Sequence, residues 1–543
     1  MSWMSLHGAR RTCRVALGWL RRLAHGLRTR LSAQARYQRL VARAERLDRE
    51  RAWRGAADCY ARAAALRPDI YAARQAEARC KALAGDLLGA LRAHRRVLER
   101  APKSAHDLYR VGELLGQLGR YDEALPYLQR ACRLRPDLLE RREVLGRMHW
   151  IMHQYDSAER IWAAWSAAQR EAARAADLDA EAYRILNTVW TGWLGNNAHL
   201  DAYVKLGLLG WRPQVPLKLL APEGRTANPT YARLWAPYVE LVTDPAEVEK
   251  LEALGGLLGE SLYTMEVKGI STYFPNAIAL AQAEWERQRR DPLLRLPEDL
   301  MARGRAALER LGVPLDAWFV ALHVREQGFW REEGDPVNAP RVAVIESYLP
   351  AIRAVVSAGG WVVRLGDPTM RPLPFMEGVV DYALSAAKSD WMDVFLSACC
   401  RFLVGTNSAL YQASMSFGVP AVATNWMPLS SFPMQRRDIV LPKLLRSREG
   451  RLLSFREMLA LPRDVWSGYM YERLGLEIID NTPEEIVEAA DEMLKRLAGA
   501  WTGIEGHPRR SDKFRDVAAA NRVEVNGSLG ERFLRRHADL LEG

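Results

Sequence analysis

Small and apolar residues recur along the first third of the chain at a fixed spacing of 34. Pro68, Pro102 and Pro136 fall on this spacing, as do Ala56, Ala90, Ala124 and Ala158, and again Ala63, Val97 and Ala131. Small alanines let two helices approach closely, and larger residues such as Tyr60 and Leu128 fill the groove beside them. Gly85 and Gly119 mark the turn between paired helices, and each proline stops the second helix of a pair. After about Leu186 the pattern changes to short apolar runs separated by amphipathic stretches and turn residues. The runs predict strands at Thr188–Trp193, Pro216–Leu220, Trp318–Val324, Trp361–Leu365, Arg401–Val404, Ala421–Thr424 and Asp438–Leu441. Helices are expected between them at Ala198–Leu208, Pro229–Trp235, Glu298–Leu311, Val344–Ser357, Asp390–Cys399 and Leu410–Phe417. Such alternation predicts parallel sheets covered by helices.

The 34-residue period resembles the tetratricopeptide (TPR) repeat, and GRYDEALPYLQRACRLRPD (Gly119 to Asp137) is its clearest copy. The expected organisation is a basic arm over 1–34, an all-α TPR solenoid over 35–185, an α/β lobe over 186–314, a second α/β lobe over 315–500 and a tail over 501–543. The tail is expected to end in a helix, Leu529–Leu541, entered through the turn Asn526–Gly527–Ser528.

Composition adds three points. Nearly half of the 543 residues are apolar and 26% are charged, as in an ordinary globular chain with several cores. The net charge of +11 is concentrated in the arm, where arginines from Arg10 to Arg43 precede the first carboxylate, Glu45. The rest of the chain is close to neutral, which argues against a nucleic-acid partner. Trp3, Leu6, Val15, Leu17, Trp19, Leu20, Leu23 and Leu27 interleave with the arginines, a pattern that suits an anionic membrane surface; the alternative is a basic leader with no partner. The uncharged run Val15–Leu20 is too short for a signal peptide, and no run is long enough to span a bilayer. Cys13, Cys59, Cys80, Cys132, Cys399 and Cys400 form no CxxC pair. That usage points to buried thiols in a reducing compartment, hence to a cytoplasmic chain, peripheral on the inner membrane where the arm meets lipid.

In an open parallel sheet, ligands bind beyond the carboxyl ends of the strands. The strand from Trp318 ends in His323, Arg325 and Glu326. Arg325 is placed to clamp a diphosphate, or else to close a salt bridge at the strand end. The strand from Trp361 ends in Gly366 and Asp367, which offer a tight exit and an acceptor for a ribose or base, or simply a turn. Arg401–Val404 leads into Gly405, Thr406, Asn407 and Ser408 and then a helix from about Ala409. The free N–H groups of a helix start suit phosphate, and Ser408 or Asn407 either reaches the ligand or only caps the helix.

The blocks ALHVREQGF, Ser347–Tyr348 before a helix, GGWVVRLGDP, KSDWMDVFL, FLVGTNSAL and FGVPAVATNW together resemble a bacterial family of glycosyltransferases from surface-polysaccharide gene clusters, whose members often carry TPR modules. The resemblance covers about residues 186–460 and is strongest from Phe319 to Trp426. The second lobe is also similar to the nucleotide-sugar lobe of heptosyltransferase-like enzymes, and the H-x-R strand to that of fucosyltransferases. Ala409 stands where glycine is commoner, Gln412 where heptosyltransferase-like chains have histidine, and Glu326 where fucosyltransferases have a second arginine.

The resemblance implies a GT-B-like double Rossmann unit with a cleft between its lobes and a tail helix that crosses back to the first. It implies a metal-independent displacement at an anomeric carbon, with a nucleotide-sugar as co-substrate and no other cofactor. Arg325, Lys388 and the helix start at Ser408 would hold the leaving phosphates. His199, then Asp201, in GNNAHLDAYVKL would activate the acceptor hydroxyl, with Glu266 and Lys268 as weaker choices; His199 and Asp201 are equally what a helix start selects. The one D-x-D triplet, Asp177–Leu178–Asp179, lies at the end of the helical array, so no metal site is expected. Three function classes follow: a transferase acting on a glycan or lipid-linked glycan, a transferase acting on a protein held in the TPR groove, and a non-catalytic TPR adaptor.

Overall fold

The computed structural model describes residues 32–326, 338–432, 434–463 and 467–542. The basic arm as far as Leu31, Cys13 with it, and the segment 327–337 after the Arg325 strand lie outside the described residues. The chain packs as two compact units, Met1–Pro136 and Asp137–Gly543.

The first unit is helical. A helix over 32–49 is followed by Trp53–Leu66, Tyr71–Leu83, Leu87–Arg100, Ala105–Gln117 and Tyr121–Leu134. Ala56, Ala90 and Ala124 are completely buried where paired helices meet. The turn inside each pair needs a left-handed residue, and the 34-residue spacing supplies one each time: Arg51, Gly85 and Gly119 have φ of 58°, 84° and 69°. Each second helix ends alike. The N–H groups of Arg67, Ala101 and Arg135 donate to Ala63, Val97 and Ala131, and a proline follows that cannot extend the ladder.

A fourth pair, Glu140–Ile151 and Tyr155–Ala175, repeats the rule, with His153 at φ 60° and Ala158 fully buried. It belongs to the second unit, because Trp150 and Trp162 pack with Tyr273 of the α/β region. Arg463 ties these parts together. Its side chain is fully buried, its N–H donates to Ile151 O at 2.8 Å, and its guanidinium donates to Asn276 Oδ1 and Arg522 O at 2.9 and 3.0 Å.

Among the described residues, the α/β region holds four sheets. Strands β1 (Arg184–Leu186), β2 (Leu217–Leu220) and β3 (Glu240–Val242) form a small parallel sheet in that order. Strands β4 (Thr264–Val267) and β5 (Ile270–Tyr273) form a hairpin through Lys268 and Gly269, both at positive φ (53° and 82°), as a two-residue turn between right-twisted strands requires. The large sheet contains β6 (Phe319–His323), β7 (Trp361–Arg364), β8 (Val379–Val380), β9 (Leu403–Gly405), β10 (Ala421–Trp426), β11 (Ile439–Pro442) and, after the short antiparallel pair β12 (Leu444–Arg446) and β13 (Glu477–Ile479), β14 (Ser528–Leu529). Its order is β14-β11-β10-β9-β6-β7-β8 with every neighbour parallel. Chain order reverses direction between β6 and β9, so a switch point lies there.

Four expectations change. Thr188–Trp193 is not a strand: Asn187 accepts from Val189 N–H and starts the helix Thr188–Thr191. The first lobe is a three-stranded sheet in sequence order, smaller than a Rossmann half and without a reversal. The two regions share an apolar core at their centre, which runs from Trp190, Tyr203 and Trp235 to Ala413 and Met415. The tail does not end in one helix crossing back. It adds β14 to the large sheet, then forms the helix Glu531–Arg536, which pairs with Pro483–Leu497 through Arg536–Glu488 and His537–Glu485. The tail does touch the first region earlier, where Asn526 donates to Ala279 O at 2.8 Å.

Candidate functional site

The carboxyl ends of β6 and β9 lie side by side, with His323 in register with Gly405. A Cβ on Gly405 would lie 2.1 Å from His323 O, so only glycine allows this approach. Thr406 N–H donates to His323 O at 3.1 Å, and Thr406 Oγ1 accepts from Arg325 N–H at 3.0 Å. His323, Arg325, Gly405 and Thr406 are thereby fixed as one corner of the switch point. Burial first, then the charges of Arg325, Arg364 and Lys388, push the His323 pKa down to about 3, and its Nδ1 has no partner among the described residues.

Glu326 does not pair with Arg325. Its carboxylate takes the Arg364 guanidinium at 2.5 Å and the Arg371 N–H at 3.0 Å. Arg364, on β7, is fully buried and also meets Asp381 at 3.2 Å. The sequence reading missed it; an arginine in an otherwise apolar strand, WVVRLG, was the available signal. It also missed a polar web at the ends of β10 and β11. Tyr348 meets Thr424 at 2.7 Å and Asn425 at 2.9 Å. Asn425, left-handed at φ 48°, exchanges bonds with Asn481, whose amide donates to Pro442 O. This web ties the strand ends to the segment entering the helix Pro483–Leu497.

Other expected contributors are already engaged within the protein. Ser408 Oγ caps the helix Ala409–Ser416 by accepting from Tyr411 N–H, and Asn407 donates to Met427 O. Thr406, Asn407 and Ser408 are all buried, because the helix Leu194–Ala198 packs on this helix start with Gly195 against Ala409. Asp367 accepts from Thr369 N–H at 2.9 Å, so it serves its own turn; Gly366 before it has φ 155°. Lys388 is ion-paired with Asp393.

The two expected bases are displaced from solvent. Asp201 is an ion-pair partner of Lys205, one turn on, inside the core; both are almost fully buried. The cause is that the helix Leu200–Leu208 is enclosed along nearly its whole length. His199 is 6% exposed, lies against Phe274 with ring centroids 4.5 Å apart, and meets Gln412 at 3.5 Å. Burial pushes its pKa down to about 3, too low for a proton acceptor near neutrality. Lys268 is a turn residue stacked 4.1 Å over Trp211. Glu266 lies on β4 rather than in a loop. Among the described residues no group of three His, Cys, Asp or Glu side chains is placed to hold a metal ion. Cys59, Cys80, Cys132, Cys399 and Cys400 are free thiols, and no described helix is long and apolar enough to cross a membrane.

No protein-family model matches the chain, and no curated protein sequence is similar to it. Solved structures similar over the N-terminal helical region include a double mutant of MamA RS-1, at 20% identity and TM-score 0.24, covering 27% of this chain and 78% of that one. MamA 41-end from Desulfovibrio magneticus RS-1 is 19% identical with TM-score 0.23, covering 26% and 76%. YrrB, described as a TPR protein with an unusual peptide-binding site, is 23% identical with TM-score 0.22, covering 24% of this chain and 66% of its own.

Proposed function

We propose that the chain is a glycosyltransferase, with its donor lobe built on the seven-stranded parallel sheet, that moves a sugar from a nucleotide-sugar donor to a glycan or lipid-linked glycan acceptor. The observation that carries this reading is the switch point of the seven-stranded parallel sheet, where His323, Arg325 and Thr406 meet at the carboxyl ends of β6 and β9. Open parallel sheets take nucleotide ligands at that place. In the reaction the acceptor hydroxyl oxygen bonds to the anomeric carbon, and the bond from that carbon to the donor phosphate breaks. The nucleotide leaves with the electron pair, and the hydroxyl proton passes to an oxygen of the departing phosphate. Arg325 stabilises the charge that grows on it, the task for which a planar guanidinium is suited. His199 and Asp201 have no part as bases in this form of the reading, and Lys388 acts only through its pair with Asp393.

The test is to melt the full-length protein with GDP, UDP, CMP and dTDP at about 1 mM, near the upper end of ordinary donor KM values. One nucleotide is expected to raise the melting temperature by several degrees. Release of that nucleotide from its sugar conjugate should then continue in EDTA. If none of the four shifts the transition, the adaptor reading replaces this one.

A further inference from the structure

A cavity of about 490 Å³ lies away from the switch point of the large sheet, against the last helix of the fourth pair. It is bounded by Trp165 and Gln169 of the helix Tyr155–Ala175, by Arg184 at the start of β1, by Arg212 in the approach to β2, and by Glu260 and Thr264 at the approach to and start of β4. These are the amino ends of β1 and β2. The cavity therefore opens at the edge of the small sheet opposite to the loops that meet the helix Ala409–Ser416.

Its polar walls are built and held. Arg184 donates to Glu260 Oε1 at 2.6 Å and to Gln169 Oε1 at 2.9 Å. The Gln169 amide donates to Gly259 O at 3.0 Å, and Gln169 is 4% exposed. The Arg212 guanidinium lies 3.6 Å from the Tyr203 ring centroid. Planar donors and acceptors are thus locked in orientation before any ligand arrives, which lowers the ordering cost of binding. One group is left over: Thr264, 6% exposed, carries a buried hydroxyl with no partner among the described residues. A buried hydroxyl without a partner costs free energy that a ligand group can recover.

We infer that this cavity is a binding site for a neutral saccharide, of one or two sugar units, separate from the switch point. Three arginines and three glutamates line it, so it carries no net charge to select a nucleotide or another polyanion. Fixed donors and acceptors in alternation match vicinal hydroxyls, which both give and take hydrogen bonds. The Trp165 indole supplies an apolar surface for the C–H side of a pyranose. The volume falls in the range of ordinary small-ligand sites. The role of the site rests on the transferase reading: a glycan held here would be the far end of an acceptor chain. Binding itself needs neither nucleotide nor turnover.

The experiment is saturation-transfer NMR and titration of the full-length, nucleotide-free protein with maltose, cellobiose, lactose and chitobiose. At least one is expected to bind. Thr264→Val, which keeps the side-chain shape, should weaken it about tenfold, the size of one lost buried hydrogen bond. Trp165→Ala should weaken it as well, and nucleotide affinity should be unchanged in both variants. Binding by none of the four overturns the site, as does binding that survives both substitutions in proteins of unchanged melting temperature. Loss of nucleotide affinity in either variant would mean that the cavity is a nucleotide site. Saccharide binding with no nucleotide affinity anywhere would leave this site standing and remove the transferase reading alone.

Discussion

Two arginines at the switch point differ in kind, and substitution should separate them. Arg364 is fully buried and bridges Glu326 and Asp381. Arg364→Met strands two carboxylates and should cost about 3–5 kcal/mol of stability, read as a large fall in melting temperature. Arg325 stands at the strand end with its backbone held by Thr406. Arg325→Ala should cut turnover per folded molecule by about two to three powers of ten, with little recovery in Arg325→Lys. Normal turnover in a destabilised Arg325→Ala protein would make Arg325 structural instead. Titration gives a second residue-scale prediction. His199 and His323 are pushed down to about 3, both chiefly by burial, so the unfolded chain binds two protons that the native chain refuses as pH falls through about 6.5. Asp438 and Glu492 run the other way. Burial raises both to about 7, so the native chain binds their protons first and gains stability as pH falls from 7 toward about 4. The two effects oppose each other between about pH 6.5 and 4.5; His153, also lowered by burial, adds to the histidine side, and Glu143, Asp393 and Glu524, raised by burial, add to the carboxylate side. Below that the histidine loss remains, joined by ion-paired carboxylates. The melting temperature should be nearly flat to about pH 4.5 and then drop. In His199→Gln/His323→Gln it should instead rise as the pH falls across the flat region; a flat profile there would show that the histidines do not carry the opposing term.

At the scale of elements, glycine positions test the helical packing. Gly112 lies in Ala105–Gln117, where an added Cβ would stand 2.5 Å from Leu128 Cγ and 3.3 Å from Ala124 O. Gly55 lies in Trp53–Leu66, where the nearest atom would be 3.4 Å away. Alanine gains about 1 kcal/mol of helix propensity at either site, but overpacking costs about 1–3 kcal/mol at Gly112. Thermal melts should therefore show Gly55→Ala stabilised and Gly112→Ala destabilised; equal gains would mean that the helices can part at no cost. The same elements show what a sequence discloses. The 34-residue period located the helix pairs because every repeat obeys the same steric rule at Ala56, Ala90, Ala124 and Ala158. Strands β6, β7, β10 and β11 were readable as apolar runs because both sides of them are covered. Strands β1, β3, β8 and β14 were missed because two- and three-residue strands leave no periodicity to read. At the site, Arg325 and Gly405–Ser408 followed from strand-end logic. Whether Ser408, Lys388 and Asp201 were spare or already paired depended on Tyr411, Asp393 and Lys205 in the folded chain. Capping and ion pairing use the same residue types that ligand binding does, so sequence could name these residues without assigning their partners.

For the whole molecule, the decisive question is where the chain can be divided. A change of texture near Leu186 suggests a cut between repeats and α/β region, whereas packing divides the chain at Pro136. The fourth helix pair explains the difference. It keeps the spacing of the repeats, with Ala158 and His153 in register, yet Trp150 and Trp162 are buried against Tyr273. His153 also reaches Leu461 O at 2.8 Å, and Arg463 spans from Ile151 to Asn276 and Arg522. Removing that pair would uncover Tyr273 and leave the fully buried Arg463 guanidinium beside an exposed surface. Large apolar losses of this kind cost several kcal/mol, comparable with the whole stability of a domain. A chain beginning at Asp137 should therefore be soluble, melt cooperatively and bind nucleotide as the full-length protein does. A chain beginning near Asp179, which keeps β1, should be insoluble or melt without cooperativity, although it retains every residue of the switch point. Trp162→Ala in the full-length protein provides the milder version, with an expected loss of about 3–5 kcal/mol. If the shorter chain folds and binds nucleotide as well as the longer one, the fourth pair is an ordinary repeat and the contacts through Trp150, Trp162 and Arg463 do not hold the α/β region together.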